Sequence, residues 1–216
     1  KILAGGADFF VRHSPLVLFE IKAGTTINAR LRAAFIAIGY DCYRALAGEP
    51  VLVRSDPAMP LDDYELNLLA AKPDRARRLA AEGLLVDPFS SWAPDADARK
   101  AALEDIKARP FATALTFGGT LDPDYRDGLA GYARWRDRAH PLPERCGALA
   151  FAFTKLQAVC KRAPNAARLS SFARCASDWG RRAESVAAVQ QLLPLANANA
   201  QAPSEPFWPA SARYEE

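Results

Sequence analysis

The segment Pro15-Leu-Val-Leu-Phe-Glu-Ile21 decides the fold class of this chain. It is a continuous run of apolar, β-branched and aromatic residues without polar alternation. Such a run is typical of a strand that is covered on both faces, as in a parallel α/β sheet. A helix over 3–12 precedes it and stops at His13-Ser14-Pro15, because the residue before a proline disfavours the helical region. The pattern therefore predicts a buried strand in an α/β domain.

The residues after this strand predict a helix and a hairpin. Thr25 to Asn28 offers helix-capping side chains, and apolar residues at spacings of three and four predict a helix over 29–38 that ends at Gly39. Two short strands follow, Asp41–Leu46 and Val51–Arg54. The tight connection at Gly48-Glu-Pro50 joins them as a hairpin.

Three segments in this order carry a family resemblance. The first is Pro15–Ile21, and the others are Gly39-Tyr40-Asp-Cys-Tyr43-Arg44 and Glu65-Leu-Asn67-Leu-Leu-Ala-Ala71. Together they resemble the C-terminal part of an FkbM-family S-adenosylmethionine-dependent methyltransferase domain. The resemblance covers residues 1–72 and implies an α/β remnant of a class I methyltransferase sheet. In such a sheet the fifth strand is parallel, and the sixth and seventh form an antiparallel hairpin.

The resemblance also implies an activity and a missing part. Members of the family resemble enzymes that move a methyl group from S-adenosylmethionine to an oxygen of a small-molecule or glycan acceptor. The glycine motif and the acidic residue that bind this cofactor belong to the front half of the family's domain, and no residue here matches them. Since the only methionine is Met59, Lys1 is not a natural start. We therefore expect a fragment that is inactive alone, with an unpaired, aggregation-prone edge on its first strand.

Composition limits the classes of function that the chain can have. The chain has 216 residues, is 50% hydrophobic and carries a net charge of +3, which points to folded domains without a strong nucleic-acid or membrane partner. It shows neither a run long enough to span a membrane nor a secretory signal, so we expect a cytoplasmic protein. The cysteines are too far apart for a metal site, and we expect them to be reduced core residues: Cys42, Cys146, Cys160 and Cys175.

Residues 73–195 predict an all-helical, repeat-like region, and 196–216 an extended tail whose aromatic residues dock on the helices. Helix-start signals occur at Pro73, Pro94-Asp95, Asp122-Pro123 and Pro143, and two further helices flank Gly180. Gly147 and Gly180 are each followed by helical sequence. The spacing between these two glycines resembles the period of a tetratricopeptide repeat. The alternatives are a true repeat array and a generic helical extension.

Glu20 is the candidate catalytic residue. It lies near the carboxyl end of the apolar strand, where open α/β sheets place their ligands, and it would orient the acceptor or act as a base. The alternative is a carboxylate paired with Lys22 or Arg44. Asn67 matches the family's closing segment, where it would bond a loop over the rim of the site. Tyr40 and Tyr43 are expected to pack in the core or at this rim.

The remaining candidates favour structural roles. Gly118-Gly119-Thr120 lacks a phosphate-binding pattern and predicts a turn. His13 predicts a helix cap. A basic group with two aromatic residues could stack on nucleic acid but also fits a solvated helix face: Tyr132, Arg134, Trp135, Arg136 and Arg138.

Three function classes remain open from the sequence. The first is the methyltransferase, and the second is a helical scaffold that binds a protein partner through residues 73–195. The third, a helical nucleic-acid-binding domain, would require an affinity that falls steeply with salt.

Overall fold

The structure, a computed structural model, describes residues 2–87, 92–113, 115–198 and 204–215. The chain forms two compact units, Lys1–Pro88 and Phe89–Glu216. In the described residues, the first unit combines a mixed sheet with helices and the second is helical. This confirms the expected succession of an α/β and an all-α region. The first unit extends past residue 72, because a strand at Leu85–Val86 joins its sheet.

The described part of the first unit contains four helices and seven strands. In chain order they are α1 (Ile2–Gly5), α2 (Ala7–His13), β1 (Val17–Glu20), β2 (Lys22–Ala23), β3 (Thr26–Ile27), α3 (Ala29–Ala37), β4 (Asp41–Ala45), β5 (Leu52–Arg54), β6 (Asn67–Ala71), α4 (Pro73–Ala81) and β7 (Leu85–Val86). Five strands form one sheet in the order β1-β6-β4-β5-β7, and β2 and β3 form a separate hairpin.

Strand β6, like β2, β3 and β7, was not predicted from the sequence patterns. It pairs antiparallel with both β1 and β4, and it therefore makes these two strands parallel to each other. The predicted hairpin is confirmed, because β4 and β5 pair antiparallel. The segment around Asn67, which the resemblance identified only as the closing segment of the domain, is an inner strand. Its apolar residues Leu68, Ala70 and Ala71 are fully buried, which explains why it pairs on both sides.

Strand β1 is covered on one face only within the first unit. Phe19 is buried, whereas the side chain of Leu18, on the opposite face, is 65% exposed. The prediction of a strand covered on both faces is therefore wrong for this unit. In the sheet of the described residues, β1 is also an edge strand, with β6 as its neighbour on one side. An unpaired strand edge beside an exposed leucine is the aggregation-prone arrangement expected from the sequence.

The core of the first unit lies on the Phe19 face of the sheet. Helices α2 and α3 contribute Phe10 and Phe35, whose rings pack edge to face with centroids 6.4 Å apart. The Phe35 ring lies 4.5 Å from that of Phe19. The buried members of this core are Phe10, Phe19, Ile21, Phe35, Tyr40, Cys42, Leu68 and Ala70.

The described part of the second unit contains five α-helices. They are α5 (Ala96–Ala108), α6 (Pro123–Arg136), α7 (Leu142–Arg162), α8 (Ala166–Asp178) and α9 (Arg182–Ala198). The predicted starts are confirmed by side-chain caps: Asp95, Asp122 and Asn165 each accept a backbone N–H of the first helical turn. Helix α9 continues through Pro194. No helix of the described chain is long and apolar enough to cross a membrane.

Two glycines allow α6 and α7 to approach closely. A Cβ atom at Gly131 would lie 2.9 Å from the carbonyl oxygen of Ala148, and one at Gly128 would lie 2.7 Å from the side chain of Leu156. The glycines weaken the helical propensity of α6, but the missing side chains leave room for the Ala148 backbone and the Leu156 side chain of α7.

The two glycines of the predicted repeat occupy different structural positions. Gly147 is buried inside α7, whereas Gly180 forms the turn between α8 and α9 with φ of +76°. The spacing therefore does not mark equivalent points of two helix pairs.

The tail packs against the helices of its own unit, as predicted. Of the predicted tail, residues 199–203 and 216 lie outside the described residues, and 196–198 belong to α9. Trp208 is fully buried, and Glu215 is 7% exposed.

The four cysteines are buried and unpaired, as expected.

Candidate functional site

Glu20 and Asn67 come together at one end of the sheet of the first unit. They are direct partners in the register of β1 and β6, and both side chains are exposed. Residues that face each other in an antiparallel pair have Cβ atoms about 5 Å apart. A carboxylate and a carboxamide therefore project side by side from the sheet surface.

The face that carries this pair is open at β1 and covered at β4, where Tyr43, a partner of Leu69 in the register, is 4% exposed. Leu18 pairs with Leu69 in the same register, and both lie on the side opposite the buried Phe19 and Leu68. Leu18 is exposed and Leu69 is partly buried. The pair thus borders an exposed apolar surface.

The alternative pairing of Glu20 with a cation is not what the structure shows. Lys22 donates to the backbone carbonyl of Asp63, and its ammonium lies 5.9 Å from the centre of the Tyr64 ring. Arg44 is 8% exposed. Its side chain lies on the same face of β4 as that of the core residue Cys42. Within the described residues, Glu20 has neither a side-chain hydrogen bond nor an ion pair. Its carboxylate is therefore available to a ligand.

Strand direction places Glu20 at the same edge of the sheet as the carboxyl end of β4. Because β1 and β4 are both antiparallel to β6, their carboxyl ends lie at the same edge of the sheet. Glu20 is the last residue of β1. In open α/β sheets, the crevice outside the carboxyl ends of parallel strands is the usual ligand site. Glu20 can orient a hydroxyl group there or accept its proton.

Tyr40 and Tyr43 are core residues, as the first of their two alternatives predicted. Tyr40 is 2% exposed, and its hydroxyl makes no hydrogen bond in the described structure. The ammonium of Lys72 lies 5.3 Å from the centre of its ring. Burial and the nearby Asp74 raise the pKa of Tyr40, so its hydroxyl stays protonated at neutral pH.

Ser14 and Asp74 form a second polar group, at the other end of β1. Ser14 caps α2 in the left-handed region, with φ of +42°, and its hydroxyl donates to the Asp74 carboxylate at 2.6 Å. This bond lowers the pKa of Asp74, although partial burial opposes it. His13, the predicted cap, lies at the end of α2 with its ring 5.0 Å from that of Phe9. The arrangement ties α2 to α4.

The second unit contains a cavity of about 600 Å³ along α5 and α6. Alanines and polar side chains line it. The polar residues are Asp95, Asp97, Asp105, Arg109, Arg134, Arg136, Asp137 and His140. Several of them already pair with each other or with neighbours, as Arg109 does with Asp105 at 2.8 Å.

The basic group on α6 does not form a stacking surface. Tyr132 and Trp135 are buried, and both donate to the carboxylate of Asp178. Arg134 pairs with Glu144 at 3.4 Å, and Arg136 pairs with Glu215 at 2.5 Å. The aromatic rings proposed for base stacking therefore lie inside the helical core.

The Gly118-Gly119 segment is a turn, as its sequence predicted. Gly119 has φ of +83°, and the Gly118 N–H donates to the carbonyl of Ser204. Among the described residues, no group of three histidine, cysteine, aspartate or glutamate side chains could hold a metal ion. Burial raises the pKa of Cys42 to about 11 and that of Cys160 to about 12, so both remain thiols at neutral pH.

The sequence did not identify the helix residues that bind the tail of the second unit. Arg168, Ser170 and Ser171 on α8 all bond to the tail. The aromatic and proline-rich end of the sequence signalled docking, but nothing in the α8 sequence signalled which helix receives it.

No family model, curated protein or solved structure matches the chain.

Proposed function

We propose that the first unit is the acceptor-side part of an S-adenosylmethionine-dependent methyltransferase of the FkbM type. The observation that carries the proposal is the position of Glu20 at the carboxyl end of β1, beside Asn67 on the face of the sheet that is open at β1. Strand β1 is parallel to β4, and the antiparallel β6 lies between them. The antiparallel pair expected from the resemblance is present as β4 and β5, and β6 separates it from β1.

Under the proposal, the described residues contribute no site for S-adenosylmethionine. The Gly118-Gly119 pair belongs to a turn of the helical unit, and the sequence has no other glycine pair besides Gly5-Gly6. Under the proposal, the cofactor is bound by residues outside this chain. These residues would also cover the free edge of β1 and the exposed Leu18.

The role proposed for the residues of this chain concerns the acceptor. A hydroxyl group of a small molecule or glycan would donate to the Glu20 carboxylate, which aligns the oxygen and takes up its proton. Asn67 would hold a neighbouring polar group of the acceptor through its carboxamide. The cofactor, when bound, would supply the methyl group to this oxygen and leave as S-adenosylhomocysteine. Alignment and proton removal are the contributions expected of the protein in such a transfer.

The test measures methyl transfer from radiolabelled S-adenosylmethionine to hydroxyl-bearing sugars, using the longer protein that the proposal requires. Glu20→Gln keeps the shape of the side chain but cannot accept the proton, so we expect a rate about 100-fold lower. Glu82→Gln is the matched control, since Glu82 is an exposed carboxylate at the end of α4. Equal rates for the Glu20→Gln variant and the unmodified protein would overturn the role of Glu20.

A further inference from the structure

The segment Glu205–Trp208 lies on the second unit as a bound peptide lies on a receptor. Side chains from the helices bond to its backbone at three points. Tyr125 donates to the carbonyl of Pro206 at 2.8 Å, and Ser170 donates to the carbonyl of Trp208 at 2.9 Å. The hydroxyl of Ser171 accepts the Trp208 N–H at 3.0 Å. The extended backbone is therefore held by receptor side chains rather than by secondary structure of its own.

The acidic end of the segment is bound by a fork of charged hydrogen bonds. Arg168 donates to both carboxylate oxygens of Glu205, at 2.7 and 2.9 Å, and Asn165 donates to one of them at 2.8 Å. The Arg168 and Glu205 side chains are only 11% and 14% exposed. Burial would raise the pKa of Glu205, but the bonds from Arg168 and Asn165 outweigh it and lower the pKa. The site therefore selects an ionised carboxylate.

The other end of the segment is an aromatic anchor. Trp208 is fully buried, with its ring 5.6 Å from that of Tyr132. The guanidinium of Arg136 lies 4.6 Å from the centre of the Trp208 ring. Tryptophan in a desolvated pocket, with arginine on its face, is the combination that contributes most to binding in protein interfaces.

The tail does not satisfy all the polar groups of this site. Three buried atoms have no hydrogen-bond partner in the described structure: Nε1 of Trp208, Nη1 of Arg136 and Oε1 of Glu215. Buried polar groups without partners reduce the net stabilisation that a contact provides. Of these atoms only Nη1 of Arg136 belongs to the receptor, since Trp208 and Glu215 are tail residues. A segment that offers an acceptor to Arg136 would therefore satisfy a group that the tail leaves without a hydrogen bond.

We propose that this site recognises an extended segment of another protein, with an acidic residue three positions before a tryptophan. The chain's own tail occupies the site in the absence of that partner. Arg168 and Asn165 would bind the carboxylate of the partner segment. Its backbone would bond to Tyr125, Ser170 and Ser171. The pocket beneath Arg136 would hold the tryptophan. This inference goes beyond methyl transfer and rests on contacts within the second unit alone.

The experiment uses the full chain and a fluorescein-labelled peptide of residues Ser204–Glu215. Glu205→Gln combined with Trp208→Ala loosens the tail in the chain without changing the receptor side chains. An intramolecular tail competes at an effective concentration on the order of millimolar. The loosened variant should therefore bind the peptide roughly 10- to 100-fold more tightly than the unmodified chain, as measured by fluorescence anisotropy.

Two matched variants identify the site. Arg168→Glu in the loosened chain should weaken binding by about 30-fold or more, because it leaves the peptide carboxylate unpaired. Arg138→Glu should have no effect, since Arg138 is exposed and has neither a hydrogen bond nor an ion pair among the described residues. A peptide that carries alanine in place of tryptophan should not bind.

Three outcomes would overturn the proposal. Equal binding to the unmodified and loosened chains, or no binding to either, would make the tail a fixed part of the core. A dimer of the unmodified chain that the peptide dissociates would assign the site to the tail of a second copy. Circular dichroism checks the folding of each variant. If the double variant does not fold, Glu205→Lys serves in its place, because it repels Arg168 while keeping the tryptophan.

Discussion

Glu20, the last residue of β1, lies directly opposite Asn67, the first residue of β6, on the face of the sheet that is open at β1. The sequence separates these residues widely, and their proximity depends on β6 entering the sheet between β1 and β4. Two side chains that the family resemblance had singled out separately thus form one polar pair. This pair is the basis of the proposed acceptor site.

The exposed edge of β1 should make the chain self-associate. Leu18→Lys places a charge on this edge strand, and we expect it to reduce the association seen by light scattering, because edge lysines oppose strand pairing between molecules. Leu193→Lys is the control, since Leu193 is 57% exposed on α9. If both variants associate as the unmodified chain does, the β1 edge is not the site of self-association.

Replacement of Ser14 should loosen the connection between α2 and α4. Ser14→Ala removes the bond to Asp74 and leaves a Cβ atom at φ of +42°. Ser14→Gly also removes the bond but relieves the backbone, so it should be more stable than the alanine variant by about 1 kcal/mol. Hydrogen exchange of the β1 and β6 amides reports the difference. Faster exchange in the glycine variant than in the alanine variant would contradict the assigned backbone conformation.

A methyl group at Gly131 should destabilise the helical unit. Its Cβ would meet the backbone oxygen of Ala148, which cannot move without shifting α7, so we expect a loss of about 2 kcal/mol in the free energy of unfolding. Gly128→Ala meets the side chain of Leu156, which can rotate, and should cost about 1 kcal/mol or less. Gly118→Ala is the control, with no atom within 4 Å of its Cβ.

Urea unfolding followed by tryptophan fluorescence measures these losses. All four tryptophans lie in the second unit, so the signal reports this unit: Trp92, Trp135, Trp179 and Trp208. Equal stability of the Gly131→Ala and Gly118→Ala variants would show that α6 and α7 do not approach as closely as the structure indicates.

Acid should weaken the docking of the tail. The pKa of Glu205 is lower in the folded chain than its ordinary value of 4.5. The carboxylate therefore stabilises the fold fully above pH 4.5, and this contribution disappears as the pH falls through the lowered folded pKa. Glu205→Gln should reduce the free energy of unfolding by about 2 kcal/mol at pH 7.

The comparison over pH separates this effect from general acid unfolding. The difference in stability between the unmodified chain and the Glu205→Gln variant should shrink as the pH is lowered below 4.5. Glu82→Gln should show no such pH-dependent difference. A difference for Glu205→Gln that stays constant down to pH 3 would mean that the ionised carboxylate does not hold the tail.

The helices of this chain could be predicted well because their signals are local. Pro73, Asp95, Asp122 and Asn165 mark helix starts by their own backbone or side-chain chemistry, whatever surrounds them. The hairpin of β4 and β5 is likewise local, since a short connection brings its strands together.

The position of β6 could not be predicted because it depends on pairing between distant segments. Asn67-Leu-Leu-Ala-Ala71 is too short for its periodicity to distinguish a strand from another buried segment. The burial of β1 was also mispredicted, since an apolar run does not say whether both faces are covered within the same chain. The tail site needed the structure, because Arg168 and Glu205 are joined only when the tail folds back on α8.

We propose that this chain supplies the acceptor side of a methyltransferase whose cofactor site lies outside it. Calorimetric titration of S-adenosylmethionine tests this role, with circular dichroism confirming that each sample is folded. We expect no heat of binding for the 216-residue chain and saturable binding by the longer protein that contains it. Saturable micromolar binding by the chain alone, or no binding by the longer protein, would overturn the proposed role.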